Sequence, residues 1–246
     1  MDSRRRAILG ALGGAFLPAL HAQDGKRLHM KKSPSSGEML PIIGVGTWQT
    51  FDVGSNSAER NDLREVLKQL DGNVVDSSPM YGSSESVAGE LIAELGMRER
   101  LFVATKVWTN GRAEGVQQIE ESFRRLRVDR MDLLQIHNLV DAGTHTQTLA
   151  EMKKRGRVRY IGITHYTASA YHEVERWLKG GQYDFLQINY SLGERQAEER
   201  LLPLARELNV ALIANRPFAE GALFRKTNRV EGFTPRSTYT QGIFQS

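Results

Sequence analysis

Short apolar runs recur along this chain at intervals of roughly 30 residues and alternate with stretches of helical periodicity. Continuous apolar runs such as IIGVG and ALIA are typical of strands buried on both faces, as in a parallel sheet. Six helical stretches lie between them, of which the one around Leu149 and Met152 has the weakest periodicity. The seven runs begin near Ile42, Val74, Leu101, Met131, Arg159, Tyr183 and Ala211. This order predicts an α/β fold of the (β/α)₈ TIM-barrel type.

The C-terminal part of the chain departs from this alternation. After Phe218 a complete barrel would need a further helix, an eighth strand and a last helix, but residues 232–246 read GFTPRSTYTQGIFQS without a continuous apolar run. We therefore expect a barrel over residues 38–224, with seven of eight strands recognisable, and an atypical tail over 225–246, as in a truncated chain. The strands near Ile42 and Ala211 would then have unpaired edges, which favour aggregation.

The first 22 residues have the composition of a targeting segment. Arg4-Arg5-Arg6 precedes Ile8-Leu9 and an apolar stretch that is too short to span a bilayer. The order resembles a twin-arginine export signal, which predicts passage through the twin-arginine machinery and a periplasmic or exported protein. The alternative is a basic N-terminus on a cytoplasmic protein. Residues 23–37 are polar and are expected to form a loose leader.

Composition excludes several classes of protein. A chain of 246 residues that is 40% hydrophobic is long enough for one domain with a large core. The net charge of +4 would fall to +2 without residues 1–22, so neither nucleic acid nor membrane is an expected partner. The sequence leaves the oligomeric state as monomer or unknown. The absence of cysteine excludes disulfides, thiolate catalysis and cysteine-bound zinc, and no metal site is expected.

Polar side chains stand where three successive apolar runs end. Asp76 follows NVV, Lys106 follows LFVAT and His137 follows MDLLQI, while Tyr81 lies five residues beyond Asp76. The carboxyl ends of barrel strands meet at one mouth, where barrel enzymes place their chemistry. An acid, a phenol, an amine and an imidazole at that mouth predict a proton-transfer site. Singly, each also has a structural interpretation: a loop cap, a rim aromatic, a surface charge or a core histidine.

Six motifs in order make the chain similar to a known family. They are GVGTWQ at 44–49, VVDSSPMYGSSE at 74–85, ATKVW at 104–108, LLQIHN at 133–138, GRVRYIGIT at 156–164 and FLQINY at 185–190. With them the sequence resembles the aldo-keto reductases from roughly Leu40 to Leu223. The resemblance implies a (β/α)₈ barrel and reversible, NADPH-dependent reduction of an aldehyde or ketone to an alcohol. It also implies a catalytic tetrad of Asp76, Tyr81, Lys106 and His137.

The chemistry of those four side chains suits the implied reaction. Hydride addition to a carbonyl leaves an alkoxide that needs a proton, and Tyr81 is the expected donor. A free phenol has a pKa of about 10, and we expect the Lys106 ammonium to lower it, with Asp76 neutralising and orienting the lysine. His137 is expected to hydrogen-bond the carbonyl oxygen and orient the substrate.

The resemblance also implies cofactor contacts. Thr164, His165 and Gln187 match positions that bind the nicotinamide carboxamide, with His165 where asparagine is more usual and Asn215 where many members stack an aromatic ring. The full set implied is Gly46, Thr47, Trp48, Asp76, Thr164, His165, Gln187, Asn215, Arg216, Pro217, Phe218, Gly221 and Leu223.

A second hypothesis is a non-catalytic or relic barrel that binds a partner or nothing. It follows from the tail, because the family's adenosine-phosphate contacts lie around the eighth strand and the helix after it.

Overall fold

A computed structural model of the chain describes residues 29–227 and 240–244. Its strands are β1 Met30–Lys32, β2 Met39–Pro41, β3 Ile43–Gly46, β4 Val74–Asp76, β5 Phe102–Val107, β6 Met131–His137, β7 Val158–His165, β8 Phe185–Asn189, β9 Ala211–Asn215 and β10 Thr240–Phe244. Its α-helices are α1 Ser57–Gln69, α2 Ser84–Glu94, α3 Arg112–Leu126, α4 Ala142–Lys154, α5 Tyr171–Gly180, α6 Leu201–Glu207 and α7 Ala222–Thr227.

Strands β3 to β9 form a curved parallel sheet in chain order, so the seven predicted parallel strands are confirmed. The helices between them provide the long connections that parallel neighbours require. Strand β10 closes the sheet into a barrel because it pairs antiparallel with β3 on one side and with β9 on the other. In that register Gly242 is opposite both Ile43 and Ala214.

The pairing of β10 corrects the prediction made for the tail. Residues 240–244 were expected to contain no strand, and the edges of β3 and β9 were expected to be unpaired; both expectations are wrong. The segment TQGIF has no continuous apolar run, but Thr, Ile and Phe favour extended backbone. Two facing edges offer it backbone donors and acceptors on both sides, and such groups need partners when buried. The predicted boundary at 224 also falls inside α7.

Two groups of buried side chains hold the barrel together. One lies inside it and comprises Leu40, Val74, Phe102, Ala104, Leu133, Tyr160, Phe185, Ala211 and Ile213. The other lies between the strands and the helices, where Val75, Val103 and Leu134 meet helix residues such as Leu91 and Ile119. This division follows from the alternation of side chains along each strand. The interior is therefore packed with side chains, and the open space lies at its carboxyl-terminal mouth.

A hairpin of β1 and β2 covers the opposite end of the barrel. Leu40 belongs to the interior cluster, and the Tyr160 hydroxyl lies 2.8 Å from Ser36 Oγ and donates to Glu38. Glu38 also pairs with Arg159. The predicted loose leader over 23–37 is thus folded in the part that the structure describes, and the predicted barrel start at 38 falls inside this hairpin.

The signal predicted at 1–22 and its export route lie outside the described residues and stay predictions. Among the helices described here, none is long and apolar enough to cross a membrane.

Candidate active site

The mouth of the barrel brings the four predicted catalytic residues together. Asp76 ends β4, Lys106 lies one residue before the end of β5, and His137 ends β6. Tyr81 lies on the loop between β4 and α2. Lys106, Tyr81 and His137 line a cavity of about 660 Å³ at this end of the barrel. The carboxyl ends of the parallel strands meet at the same mouth of the barrel, so residues far apart in sequence become neighbours.

Lys106 and Asp76 form a buried ion pair. Lys106 Nζ donates to Asp76 Oδ2 at 2.7 Å and to the carbonyl oxygen of Ser77 at 2.7 Å. Burial alone would lower the pKa of Lys106, but Asp76 and Tyr81 together raise it above its usual value. The lysine is therefore a fixed cation at neutral pH, and breaking such a pair would leave an uncompensated buried charge.

Tyr81 lies beside this cation. Lys106 Nζ is 5.3 Å from the centre of the phenol ring. Burial raises the pKa of Tyr81 above 10, while Lys106 acts in the opposite direction without outweighing burial. The expected net lowering of this pKa is thus wrong for this structure. Removing a phenolate from water is unfavourable, and the attraction of the Lys106 ammonium, whose charge Asp76 neutralises, is too small to offset that effect. At neutral pH Tyr81 is a protonated phenol.

His137 lines the same cavity, next to Tyr81. Its ring meets the Tyr81 ring edge to face at a centroid separation of 5.8 Å, and its Nδ1 lies 3.0 Å from Ser78 Oγ. Burial, then the charges of Lys106 and His165, lower the pKa of His137 to about 3. The imidazole is therefore neutral at physiological pH. If Ser78 donates to Nδ1, the Nε2–H is available as a hydrogen-bond donor.

A network of side-chain amides that the sequence did not predict forms hydrogen bonds with Asp76. Gln187 Nε2 donates to Asp76 Oδ2 at 3.0 Å and to Asn215 Oδ1 at 2.8 Å. Gln135 Nε2, from β6, donates to Gln187 Oε1 at 2.5 Å. Gln135 is buried in the strand whose last residue is His137, and a polar residue inside the apolar run MDLLQIH was the available signal.

The predicted cofactor residues divide into two groups. Those that line the cavity are Gly46, Trp48, Thr164, Asn215, Arg216, Pro217, Phe218 and Gly221. Those that the structure does not place among its lining residues are Thr47, Asp76, His165, Gln187 and Leu223. Thr47 instead donates to Ser77 Oγ at 2.8 Å, and His165 Nδ1 accepts from Thr167 at 3.2 Å. Of the three residues matched to carboxamide binding, Thr164 alone faces the cavity among the described residues.

Several lining residues were missed by sequence reasoning. They are Met80, Trp108, Asn138, Tyr166, Asn189 and Phe224. Trp108 and Asn138 directly follow β5 and β6, so the strand-end rule that found Lys106 and His137 would have found them if extended by one residue. Asn189 ends β8 in the same way.

Comparison with known proteins finds chains that are similar in sequence. The family model described as the aldo/keto reductase family matches residues 42–241. Aldo-keto reductase YhdN of Bacillus subtilis is 28% identical over 202 residues, which cover 75% of this chain and 60% of that protein. The chain thus spans less than two thirds of that relative's length. Methylglyoxal reductase YeaE of Escherichia coli is 29% identical over 209 residues, covering 80% of this chain and 72% of that protein.

A solved structure has the same fold. The aldo/keto reductase of Klebsiella pneumoniae, in complex with NADP and acetate, has a TM-score of 0.64 and 25% identity. The superposition covers 78% of this chain and 69% of that one.

Proposed function

This chain belongs to the aldo/keto reductase family, and from that premise we propose that it reduces an aldehyde or ketone to an alcohol with NADPH as the hydride donor. The observation that carries the proposal is the buried Lys106–Asp76 pair beside the protonated phenol of Tyr81, with the neutral His137 on the same cavity wall. These are a proton donor, the charge that stabilises its conjugate base, and a hydrogen-bond donor for a carbonyl oxygen.

The cavity fits the nicotinamide half of the cofactor. Asn189 lines it, and Asn189 Oδ1 is buried without a hydrogen-bond partner among the described residues. A carboxamide N–H would supply that partner, and Thr164 lines the same cavity. Bound NADPH would supply the hydride. Residues for the adenosine-phosphate half, expected around an eighth parallel strand, are not placed by the described segments.

Tyr81 is the proposed acid. Its raised pKa keeps the proton on the phenol at neutral pH, ready for transfer to the carbonyl oxygen as the alkoxide develops. The resulting phenolate would lie beside Lys106, whose own raised pKa keeps it charged. Asp76 orients Lys106 through the 2.7 Å contact and balances its charge. The ion pair therefore makes proton release from a buried tyrosine feasible.

His137 is proposed to orient the substrate. A neutral imidazole can donate one hydrogen bond to the carbonyl oxygen without competing with Tyr81 as an acid. The edge-to-face packing of the two rings places His137 next to the proposed proton donor.

The first prediction tests the acid. Tyr81→Phe should lower kcat/KM for a carbonyl substrate by about 10²- to 10⁴-fold, since only the proton donor is removed. NADPH binding, measured by fluorescence titration, should change less than about twofold. Methylglyoxal is the first substrate to assay, because a relative is named for its reduction.

The control is Tyr190→Phe, which removes a hydroxyl that donates to Glu198 at 2.6 Å outside the cavity lining. This variant should turn over like the wild type. Full turnover by Tyr81→Phe would exclude Tyr81 as the acid. A wild type that binds NADPH but oxidises none of it across a panel of aldehydes and ketones would instead favour the non-catalytic barrel.

A further inference from the structure

The cavity has a second cation, which the proposed chemistry does not use. Arg216 follows the last residue of β9 and lines the cavity with Lys106 and Tyr81. Its backbone has a positive φ of 52°, a conformation that disfavours side chains with a Cβ by about 1–2 kcal/mol. Glycine or asparagine would fit that backbone more easily, so a long cationic side chain at this position points to a role for its guanidinium.

The guanidinium is held over the cavity by two neighbours. Its Cζ lies 5.7 Å from the centre of the Trp48 ring, within the range of a cation–π contact. Its Nε lies 3.3 Å from Glu220 Oε1. Neither terminal nitrogen, Nη1 nor Nη2, has a hydrogen-bond partner in the segments described. Arg216 is thus oriented by contacts to its Nε and to the face of its guanidinium. Its two terminal nitrogens stay available to bind a carboxylate bidentately.

The position of Arg216 relates it to the proposed reaction centre. Its charge acts on Tyr81, favouring the phenolate against the dominant effect of burial on the pKa. The rest of the wall is largely apolar and aromatic, formed by Trp48, Met80, Trp108, Tyr166, Phe218 and Phe224. A ligand with one anionic group and an apolar frame matches these rings together with Arg216, the cation that the proposed chemistry leaves unused.

We propose that Arg216 determines specificity by binding the carboxylate of an oxo acid whose carbonyl lies at Tyr81, so that aromatic or apolar aldehydes and ketones bearing a carboxylate are the preferred substrates. The preference for oxo acids as substrates rests on the proposed function, whereas the binding of an anion at Arg216 does not depend on it. The competing occupant of the same fork is a phosphate of the dinucleotide, and the experiment separates the two.

The test compares acids with their uncharged esters. Substrates are 3- and 4-carboxybenzaldehyde and their methyl esters, which differ in charge and scan the distance from carbonyl to carboxylate. Wild type should favour at least one acid over its ester in kcat/KM by about 10- to 100-fold, the range expected for charge-assisted hydrogen bonds. Arg216→Met should remove that preference by lowering kcat/KM for the acid about tenfold more than for its ester, and Arg216→Lys should restore part of it.

Two measurements without turnover complete the design. Benzoate should quench tryptophan fluorescence saturably in the wild type, because Trp48 contacts Arg216, and should do so only weakly in Arg216→Met. The Kd of NADPH should change less between the two proteins than the Kd of benzoate. Arg225→Met is the control, since Arg225 is exposed on α7 and is not among the lining residues.

Each outcome decides one question. Equal kcat/KM for acids and esters, with no loss in Arg216→Met, overturns the carboxylate site while leaving the reductase function intact. A tenfold weaker Kd for NADPH in Arg216→Met with no change in the ratio of acid to ester assigns the fork to the cofactor and also overturns it. Arg216-dependent benzoate binding without any carbonyl reduction refutes the proposed function and leaves the anion site supported.

Discussion

At the scale of single residues, burial sets the charge of His137. Its folded-state pKa of about 3 lies far below the value of 6.5 that the side chain has in the unfolded chain. The unfolded state therefore binds more protons below pH 6.5, and the stability that comes from a neutral His137 is complete above that pH and is lost as the pH falls toward 3. Hence the free energy of unfolding should decrease between pH 7 and pH 5.

A substitution isolates this contribution. In urea titrations, the free energy of unfolding should fall between pH 7 and pH 5 by about 2 kcal/mol more in the wild type than in His137→Asn. This follows because one pKa unit corresponds to about 1.4 kcal/mol. His172→Asn, at an exposed position on α5, should lose as much as the wild type. Identical pH dependence in wild type and His137→Asn would mean that His137 titrates normally in the folded protein.

The residues of the site differ in how far the sequence predicts them. Asp76, Lys106 and His137 could be found because strand ends of a parallel barrel converge, which is a consequence of periodicity alone. The net pKa of Tyr81 could not be predicted, since it depends on how deeply the ring is buried relative to the distance from Lys106. Gln187 illustrates the same limit: its position is clear from FLQINY, but its pairing with Asp76 is a tertiary contact.

At the scale of elements, a buried hydrogen bond links the helix that follows Tyr81 to the strand that carries Lys106. Thr105 Oγ1, next to Lys106 on β5, donates to Glu85 Oε1 in the first turn of α2 at 2.6 Å. Burial raises the pKa of Glu85, while Thr105 acts against that shift. This contact fixes the separation of two elements that must hold the acid and its ammonium within a few ångströms of each other.

Glu85→Ala should therefore lower stability by about 1–3 kcal/mol, because Thr105 loses a buried acceptor, and should reduce kcat more than it weakens NADPH binding. Glu85→Gln keeps an acceptor oxygen and should recover most of both. Glu94→Ala on the same helix removes an exposed pair with Arg64 and should leave stability and kcat unchanged. The measurements are urea unfolding and steady-state kinetics; a kcat for Glu85→Ala equal to that of Glu94→Ala would refute the link.

The elements that the sequence predicts best are those with a strong period. Strands β3 to β9 appear where the apolar runs are, and even the weakly patterned stretch around Leu149 is a helix, α4, of 13 residues. The three strands that were missed, β1, β2 and β10, have only three to five residues each and lack a long apolar run. The pairing of β10 depends on the edges of β3 and β9, which lie elsewhere in the chain and which a local pattern does not encode.

At the scale of the whole molecule, the barrel has two different closures. The β1–β2 hairpin covers the end opposite the cavity, where Glu38 contacts Arg159 and Tyr160. Strand β10 joins β9 to β3 along the side, so β3, which leads to Gly46 and Trp48, depends on it for one of its two neighbours. The structure of the cavity wall therefore depends on a five-residue strand that is far from β3 in the sequence.

The last prediction tests this coupling. Gly242→Pro removes the backbone N–H of a residue that is paired on both sides, opposite Ile43 of β3 and Ala214 of β9. Proline within a central strand deletes a ladder hydrogen bond, and an unpaired buried partner costs about 1–3 kcal/mol. Opening either seam also leaves an edge of β3 or β9 free to pair with another molecule. The variant should unfold at lower urea concentration and form oligomers in size-exclusion chromatography, whereas Ser246→Pro, beyond the strand, should match the wild type. A monomeric Gly242→Pro with unchanged unfolding would mean that the parallel strands β3 to β9 are stable without this closure.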